Sequence, residues 1–190
     1  MNYVIDKRYI LKEERSSCGC QIKYSRNGYW YKLDSSYNEG MNEHIASIIA
    51  RNSTINNFVY YEACTVNGRK ACRSKRFYDE NEQFITLEEI ICTMSCVSRA
   101  EDKIRTIREV KDRFNFIVRS VYEYTNHQLD STEALRETLY FDMLILNRDR
   151  HFNNLGVILN LQSGVYRPAP IFDNGVSLLG GQIGDILDFG

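Results

Sequence analysis

The stretch Phe141–Leu179, FDMLILNRDRHFNNLGVILNLQSGVYRPAPIFDNGVSLL, decides how the rest of the chain is read. An apolar helical run, Phe141 to Leu146, leads into the polar cluster Asn147-Arg148-Asp149-Arg150-His151, and Asn154 follows Asp149 by five positions. An apolar segment from Leu155 to Leu159, a loop with Ser163 and Gly164, and a second segment from Val165 come next. The second segment ends in Ile171-Phe172-Asp173-Asn174-Gly175. Two arms of this length form a hairpin whose ends lie close together. The pattern therefore predicts that Asp149, Asn154 and Asp173 converge.

Phosphoryl transfer from ATP needs this set of groups. One carboxylate orients the attacking hydroxyl and accepts its proton, while an Asn and a second carboxylate hold the magnesium that bridges the phosphates. Protein kinases place the base and the Asn five residues apart and supply the second Asp, followed closely by Gly, after a hairpin. Taken singly, Asp149 and His151 read as a helix cap, and Asp173-Asn174-Gly175 as a turn. The two halves in this order and separation point instead to one site.

The order Asp149-Arg150-His151 inverts the usual His-Arg-Asp. Together with Asn153-Asn154 and Pro170-Ile171-Phe172-Asp173-Asn174-Gly175-Val176-Ser177-Leu178-Leu179, it resembles the HipA-like serine/threonine kinases, in particular their small CtkA-like branch. The phosphatidylinositol kinases are a more distant likeness. The resemblance runs over about residues 16–179. It implies an α+β, bilobal protein-kinase-like fold with a β-rich N-lobe carrying one helix and a mainly helical C-lobe.

Composition sets outer limits. The chain has 190 residues, 43% of them hydrophobic, which suffices for one compact unit or two small lobes with real cores. Its formal net charge of −1 carries no basic footprint for nucleic acid, so direct nucleic-acid binding is not expected. The start lacks the apolar core of a signal peptide, and no apolar run reaches the ~20 residues of a membrane span. Cytoplasmic location is expected, or export as an effector without a signal peptide. Six cysteines, at 18, 20, 64, 72, 92 and 96, read as buried free thiols rather than a disulfide framework. A four-thiolate site from Cys18, Cys20, Cys92 and Cys96 is disfavoured because their spacings are not the short knuckles of structural zinc.

A first strand is expected within residues 1–15. Ser16-Ser17-Cys18-Gly19-Cys20 is a small-residue loop feeding alternating segments around Asn27-Gly28, a hairpin signal. Such a loop suits phosphate oxygens through its backbone N–H groups, which makes Ser16, Ser17, Cys18 and Gly19 nucleotide-binding candidates. Lys32 lies mid-strand among aromatic and apolar residues, where a charge needs a partner. The helical pattern from Glu39 to Asn52 lines one apolar face with Met41, Ile45, Ile48 and Ile49. It offers Glu43, with Glu39 as competitor, to pair with Lys32 as a kinase strand lysine pairs with its helix glutamate.

A second hairpin is expected around Asn67-Gly68, and a hinge at about Ser74 to Asp79. The polar run Tyr78–Glu82 marks a boundary between an N-lobe, 1–78, and a C-lobe, 79–190. Thr86 with Glu89 predicts a capped helix through about Val97. Apolar residues at three- and four-residue spacing predict one long helix from Glu101 to about Asn126. A further helix opens at Asp130/Glu133 and carries Leu135, Leu139, Leu144 and Leu146 into Asn147. Relative to the family, the C-lobe reads as short after Asp173.

The resemblance implies a kinase that uses ATP and Mg2+ and transfers the γ-phosphate to a Ser or Thr hydroxyl of a protein. Asp149 would be the base, with Arg150 and His151 shaping its loop. Asn154 and Asp173 would hold the metal, and Lys32 with Glu43 the phosphates. It also implies an antitoxin-like partner and phosphorylation of Ser16 or Ser17 as an off-switch. The rival readings are a nucleotide-binding pseudokinase or toxin–antitoxin-type binding module, and a small-molecule kinase. No membrane partner is expected.

Overall fold

The computed structural model describes residues 1–11, 21–35 and 38–179. The expectations for Ser16, Ser17, Cys18, Gly19 and Cys20 fall outside the described residues. The chain is an α+β protein with two compact units, neither continuous in sequence. One comprises Met1–Phe77, Tyr140–Arg150 and the segment from Pro170; the other comprises Tyr78–Leu139 and His151–Ala169. This division breaks at Phe77/Tyr78 and assigns 140–150 and the segment from 170 differently from two continuous lobes at 1–78 and 79–190. Backbone pairing ties 140–150 to the later segment, through Arg148 N–H to Val176 O and Leu178 N–H to Ile145 O, and Phe141, Ile145 and Ile171 pack with Ala46 and Ala50.

The first unit is built on a five-stranded sheet. Its strands are β1 (Asn2–Tyr3), β2 (Lys23–Arg26), β3 (Tyr29–Leu33), β4 (Tyr61–Val66) and β5 (Arg69–Lys75), in the spatial order β1-β4-β5-β3-β2. The expected early strand is thus only two residues long. Both Asn-Gly turns form. Asn27 and Gly28 have φ of 52° and 76°, and Asn67 and Gly68 51° and 78°, the left-handed pair that matches strand twist. One sheet face buries Tyr24, Tyr31, Leu33, Cys64, Val66 and Ala71 with Ile5.

Between β3 and β4 runs helix α1 (Glu39–Arg51). Its buried residues are Glu39, Gly40, Asn42, Glu43, Ala46, Ser47 and Ala50, while Met41 and Ile45 are exposed. The expected apolar stripe is therefore not the inner face. That face carries carboxylates and an amide with hydrogen-bond partners, and only small side chains fit beside them.

In the second unit, β6 (Glu82–Thr86) precedes α2 (Leu87–Ser95). Thr86 Oγ1 accepts from Glu89 N–H at 3.1 Å, as the capping pattern predicts. The helix stops at Ser95 because Cys96 takes a left-handed C-cap conformation, φ 53°, which leaves this thiol exposed rather than buried. Cys64 and Cys72 are buried as expected. The expected long helix is two, α3 (Ala100–Arg105) and α4 (Val110–Tyr124). Glu109, extended at ψ 136°, breaks the path, and Arg113 Nε donates to Ile107 O across the break. The apolar spacing continues through the turn, so periodicity alone did not show it.

Helix α5 spans Thr132–Ile145, and β7 (Gly156–Asn160) pairs with β6 and with β8 (Tyr166–Pro168). Along α5 the buried positions are Leu135, Thr138, Phe141, Asp142 and Ile145, while Leu139, Leu144 and Leu146 are exposed. Ile85, Leu87, Ile90, Ile91, Ala100, Val121 and Val157 form the core of the second unit. In the first unit Phe141, Ile145 and Ile171 pack with Ala46 and Ala50 of α1. That contact seats the segment from Pro170 on α1. No described helix is long and apolar enough to cross a membrane.

Candidate active site

The residues singled out in the sequence meet largely within the first unit. Lys32 Nζ, in β3, donates to Glu43 Oε1 at 2.9 Å and to Asp173 Oδ1 at 2.5 Å. Glu43 is 1% exposed, and its second oxygen accepts from Asn174 N–H at 2.8 Å. Glu39, the competitor, accepts instead from Ser35 N–H and Oγ, closing the approach to α1.

The turn that carries Asp173 is held against α1. Asp173 has φ 61°, a left-handed conformation tolerated by Asp. Asn42 Nδ2 donates to Gly175 O at 2.9 Å, and a Cβ at Gly175 would come within 3.1 Å of Glu39 Cβ. A side chain there would push the turn away from the helix. Upstream, Ile171 N–H donates to Asn57 O, and Val59 N–H donates to Ile171 O.

Electrostatics follow from one cation between two carboxylates. Burial opposes the Lys32 ammonium, but Asp173 and Glu43 together hold its pKa well above the ordinary value. Burial pushes Glu43 up, with Lys32 opposing. Burial acts upward on Asp173 too, but Lys32 and then Lys23 outweigh it and bring its pKa down to about 2. The partly exposed Asp173, rather than the enclosed Glu43, thus keeps its charge most firmly.

A pH dependence follows. The Asp173 pKa lies below its ordinary 3.8, so its ionised form stabilises the fold above about pH 4 and that contribution fades as pH falls toward 2. The size is about 2 kcal/mol. Glu43 acts in the opposite sense, because its pKa is raised. Denaturant midpoints measured from pH 5 to pH 2 should fall, and Asp173→Asn should flatten that slope. An equal slope in the two proteins would contradict this origin.

Arg150 joins the loop of Asp149 to this turn. Its guanidinium donates to Phe172 O at 2.5 Å and to Asn174 Oδ1 at 2.7 Å, on either side of Asp173. Asp149 itself is exposed, and its N–H donates to Asn147 Oδ1 at 3.1 Å. His151 and Asn154 belong to the second unit. There Asn154, 3% exposed, closes a short 3-10 turn, Phe152–Asn154, through its N–H to His151 O at 2.9 Å. Nδ1 of His151 is buried without a hydrogen-bond partner among the described residues.

Three residues of the site were missed in the sequence. Asp142 is a buried acceptor for Arg150, at 2.9 Å to each of two guanidinium nitrogens. Tyr61 lies beneath Lys32, with Nζ 5.4 Å from its ring centroid. Lys23 is the cross-strand partner of Lys32. The last was legible, because a two-residue loop at Asn27-Gly28 pairs residues symmetrically about it. Asp142 and Tyr61 left no local signal.

Asp173 has the chemistry of a magnesium ligand. In the first unit the ionised Asp173 is a hard ligand, and Mg2+ uses one or two carboxylates together with phosphate oxygens and water. Among the described residues no three or more His, Cys, Asp or Glu side chains gather as a self-sufficient metal site.

The fold is that of the HipA-like kinases. It is similar to CtkA, a proinflammatory kinase of Helicobacter pylori, with a TM-score of 0.64 and 21% identity over 83% of this chain and 55% of that one. It is similar too to HipA of a Shewanella oneidensis MR-1 toxin–antitoxin system, solved with HipB and operator DNA. There the TM-score is 0.51 and the identity 15%, over 90% of this chain and 45% of that one. The chain thus spans about half the length of these two proteins. No protein-family model and no curated protein sequence matches it.

Proposed function

We propose that the protein is an ATP- and Mg2+-dependent kinase that transfers the γ-phosphate to a Ser or Thr hydroxyl of a protein. The observation that carries this reading is the Lys32–Glu43–Asp173 triad, with Arg150 bonded to the residues flanking Asp173. In this reading Lys32 holds the nucleotide's phosphates and Glu43 fixes the lysine. Asp149 accepts the proton of the attacking hydroxyl as its oxygen bonds to the γ-phosphorus and the bond to ADP breaks. Asn154 and Asp173 would hold Mg2+, which offsets the charge on the phosphate oxygens. His151 would be a further contact for the γ-phosphate.

Lys32 now bonds Asp173 directly. On nucleotide binding its ammonium would shift toward phosphate and free the carboxylate for metal. The neighbour solved with HipB and DNA supports extending an antitoxin-type protein partner to this chain.

The test is incubation with γ-labelled ATP and Mg2+, with and without a chelator, using a generic Ser/Thr protein acceptor and the protein itself. Metal-dependent phosphoserine or phosphothreonine is expected. Nucleotide binding with no transfer to protein, peptide or small-molecule hydroxyls would replace this reading with a binding module.

A further inference from the structure

Asp142 lies in α5, seven residues before the proposed base, and its side chain is 9% exposed. A carboxylate at that depth needs partners for its charge and lone pairs. It has them on both oxygens. Oδ2 accepts from Arg150 Nε at 2.9 Å, and Oδ1 from Arg150 Nη2 at 2.9 Å. Oδ1 also accepts from Asn147 Nδ2 at 2.9 Å, and Asp142 O accepts from Asn147 N–H. The two-point grip sets the plane of the guanidinium as a single contact would not.

From this carboxylate two arms run outward. Through Asn147, whose Oδ1 accepts from Asp149 N–H, one arm reaches the backbone of the proposed base. Through Arg150, which donates to Phe172 O and Asn174 Oδ1, the other reaches the turn on either side of Asp173. Asn174 N–H then donates to Glu43, which holds Lys32. One hydrogen-bonded path thus joins the loop of Asp149 to the lysine, with Asp142 where its two arms meet. Every member lies in the first unit.

Arg150 would not hold this geometry alone. Without the carboxylate its guanidinium loses the two bonds that fix Nε and Nη2 from the α5 side. The Asp149 loop, whose own side chain faces solvent, then loses its link to the Asp173 turn. A shift of about 1 Å in such a link costs about 100-fold in rate.

We propose that Asp142 is a positioning residue for phosphoryl transfer, acting through Arg150 and Asn147 to hold Asp149 and Asp173 in one register. This rests on the kinase reading above. Asp142 contacts Lys32 only through Arg150, Asn174 and Glu43, so its loss should lower turnover more than nucleotide affinity.

The experiment uses Asp142→Asn, which keeps the shape and removes the charge, and Asn147→Ala, which cuts only the arm to Asp149 at a half-buried position. For each, kcat and the KM for ATP are measured alongside the melting temperature and amide hydrogen exchange. In Asp142→Asn, kcat should fall about 10- to 100-fold with KM within about twofold. Asn147→Ala should show a smaller loss of the same kind. Exchange should quicken in peptides covering 147–150 and 172–176 and stay unchanged in the β4–β5 hairpin. Unchanged kcat in both variants overturns the proposal, as does a rise in KM that matches the fall in kcat.

If Asp142→Asn fails to fold, the Asn147→Ala result alone decides. If the parent protein shows no transfer, the kinase reading fails by itself. Hydrogen exchange then judges the positioning: local quickening sustains the link between the two turns, and unchanged exchange removes it.

Discussion

Asp149→Asn is expected to reduce phosphoryl transfer by about 10²–10⁴-fold, the usual contribution of a positioned general base. Asp173→Asn should do at least as much, because the charge proposed to hold the metal disappears while the side-chain shape remains. The two differ in stability. Asp149 is exposed and its side chain has no ion pair among the described residues, so its variant should melt within about 0.5 kcal/mol of the parent. Asp173 neutralises part of Lys32, so its variant should be measurably less stable. Single-turnover assays with denaturant curves separate the effects. Parental transfer rates in either variant would overturn the assignment of that aspartate.

Lys32→Ala is expected to have the largest effect on stability. It removes the cation from between two carboxylates, one of them 1% exposed, and leaving a buried charge unpaired costs about 3–5 kcal/mol. ATP affinity should fall as well. Glu43→Ala should cost less, because Lys32 retains Asp173. If the pair acts as a unit, the double variant should fall short of the summed losses by about 1–3 kcal/mol. Strict additivity in denaturant midpoints and in ATP binding would show that the contact carries no coupling.

The apolar stripe of α1 is not its buried face. Met41 and Ile45 are exposed, and the helix turns Glu39, Asn42 and Glu43 inward. Hydrophobic periodicity assumes that buried means apolar. It misreads a helix whose inner face carries hydrogen-bonded polar groups, and this helix supplies Glu43 to the cluster around Asp173.

What the sequence by itself determined is what short-range chemistry encodes. Asn27-Gly28 and Asn67-Gly68 specify their hairpins, because only such residues adopt the paired left-handed conformations of a two-residue loop. Thr86 and Glu89 specify the start of α2. The spacing of Asp149, Asn154 and Asp173 about an apolar hairpin pointed to phosphoryl transfer, and the strand lysine before a helix glutamate pointed to the Lys32–Glu43 contact. The sequence already favoured Glu43 over Glu39 as the residue further into the helix, and Lys32 Nζ donates to Glu43 while Glu39 accepts from Ser35. The tertiary structure alone disclosed Asp142, whose partner Arg150 is eight residues away, and Tyr61 beneath Lys32. It also set the break between α3 and α4. Such features depend on which surfaces meet when distant segments pack, and no local spacing records that.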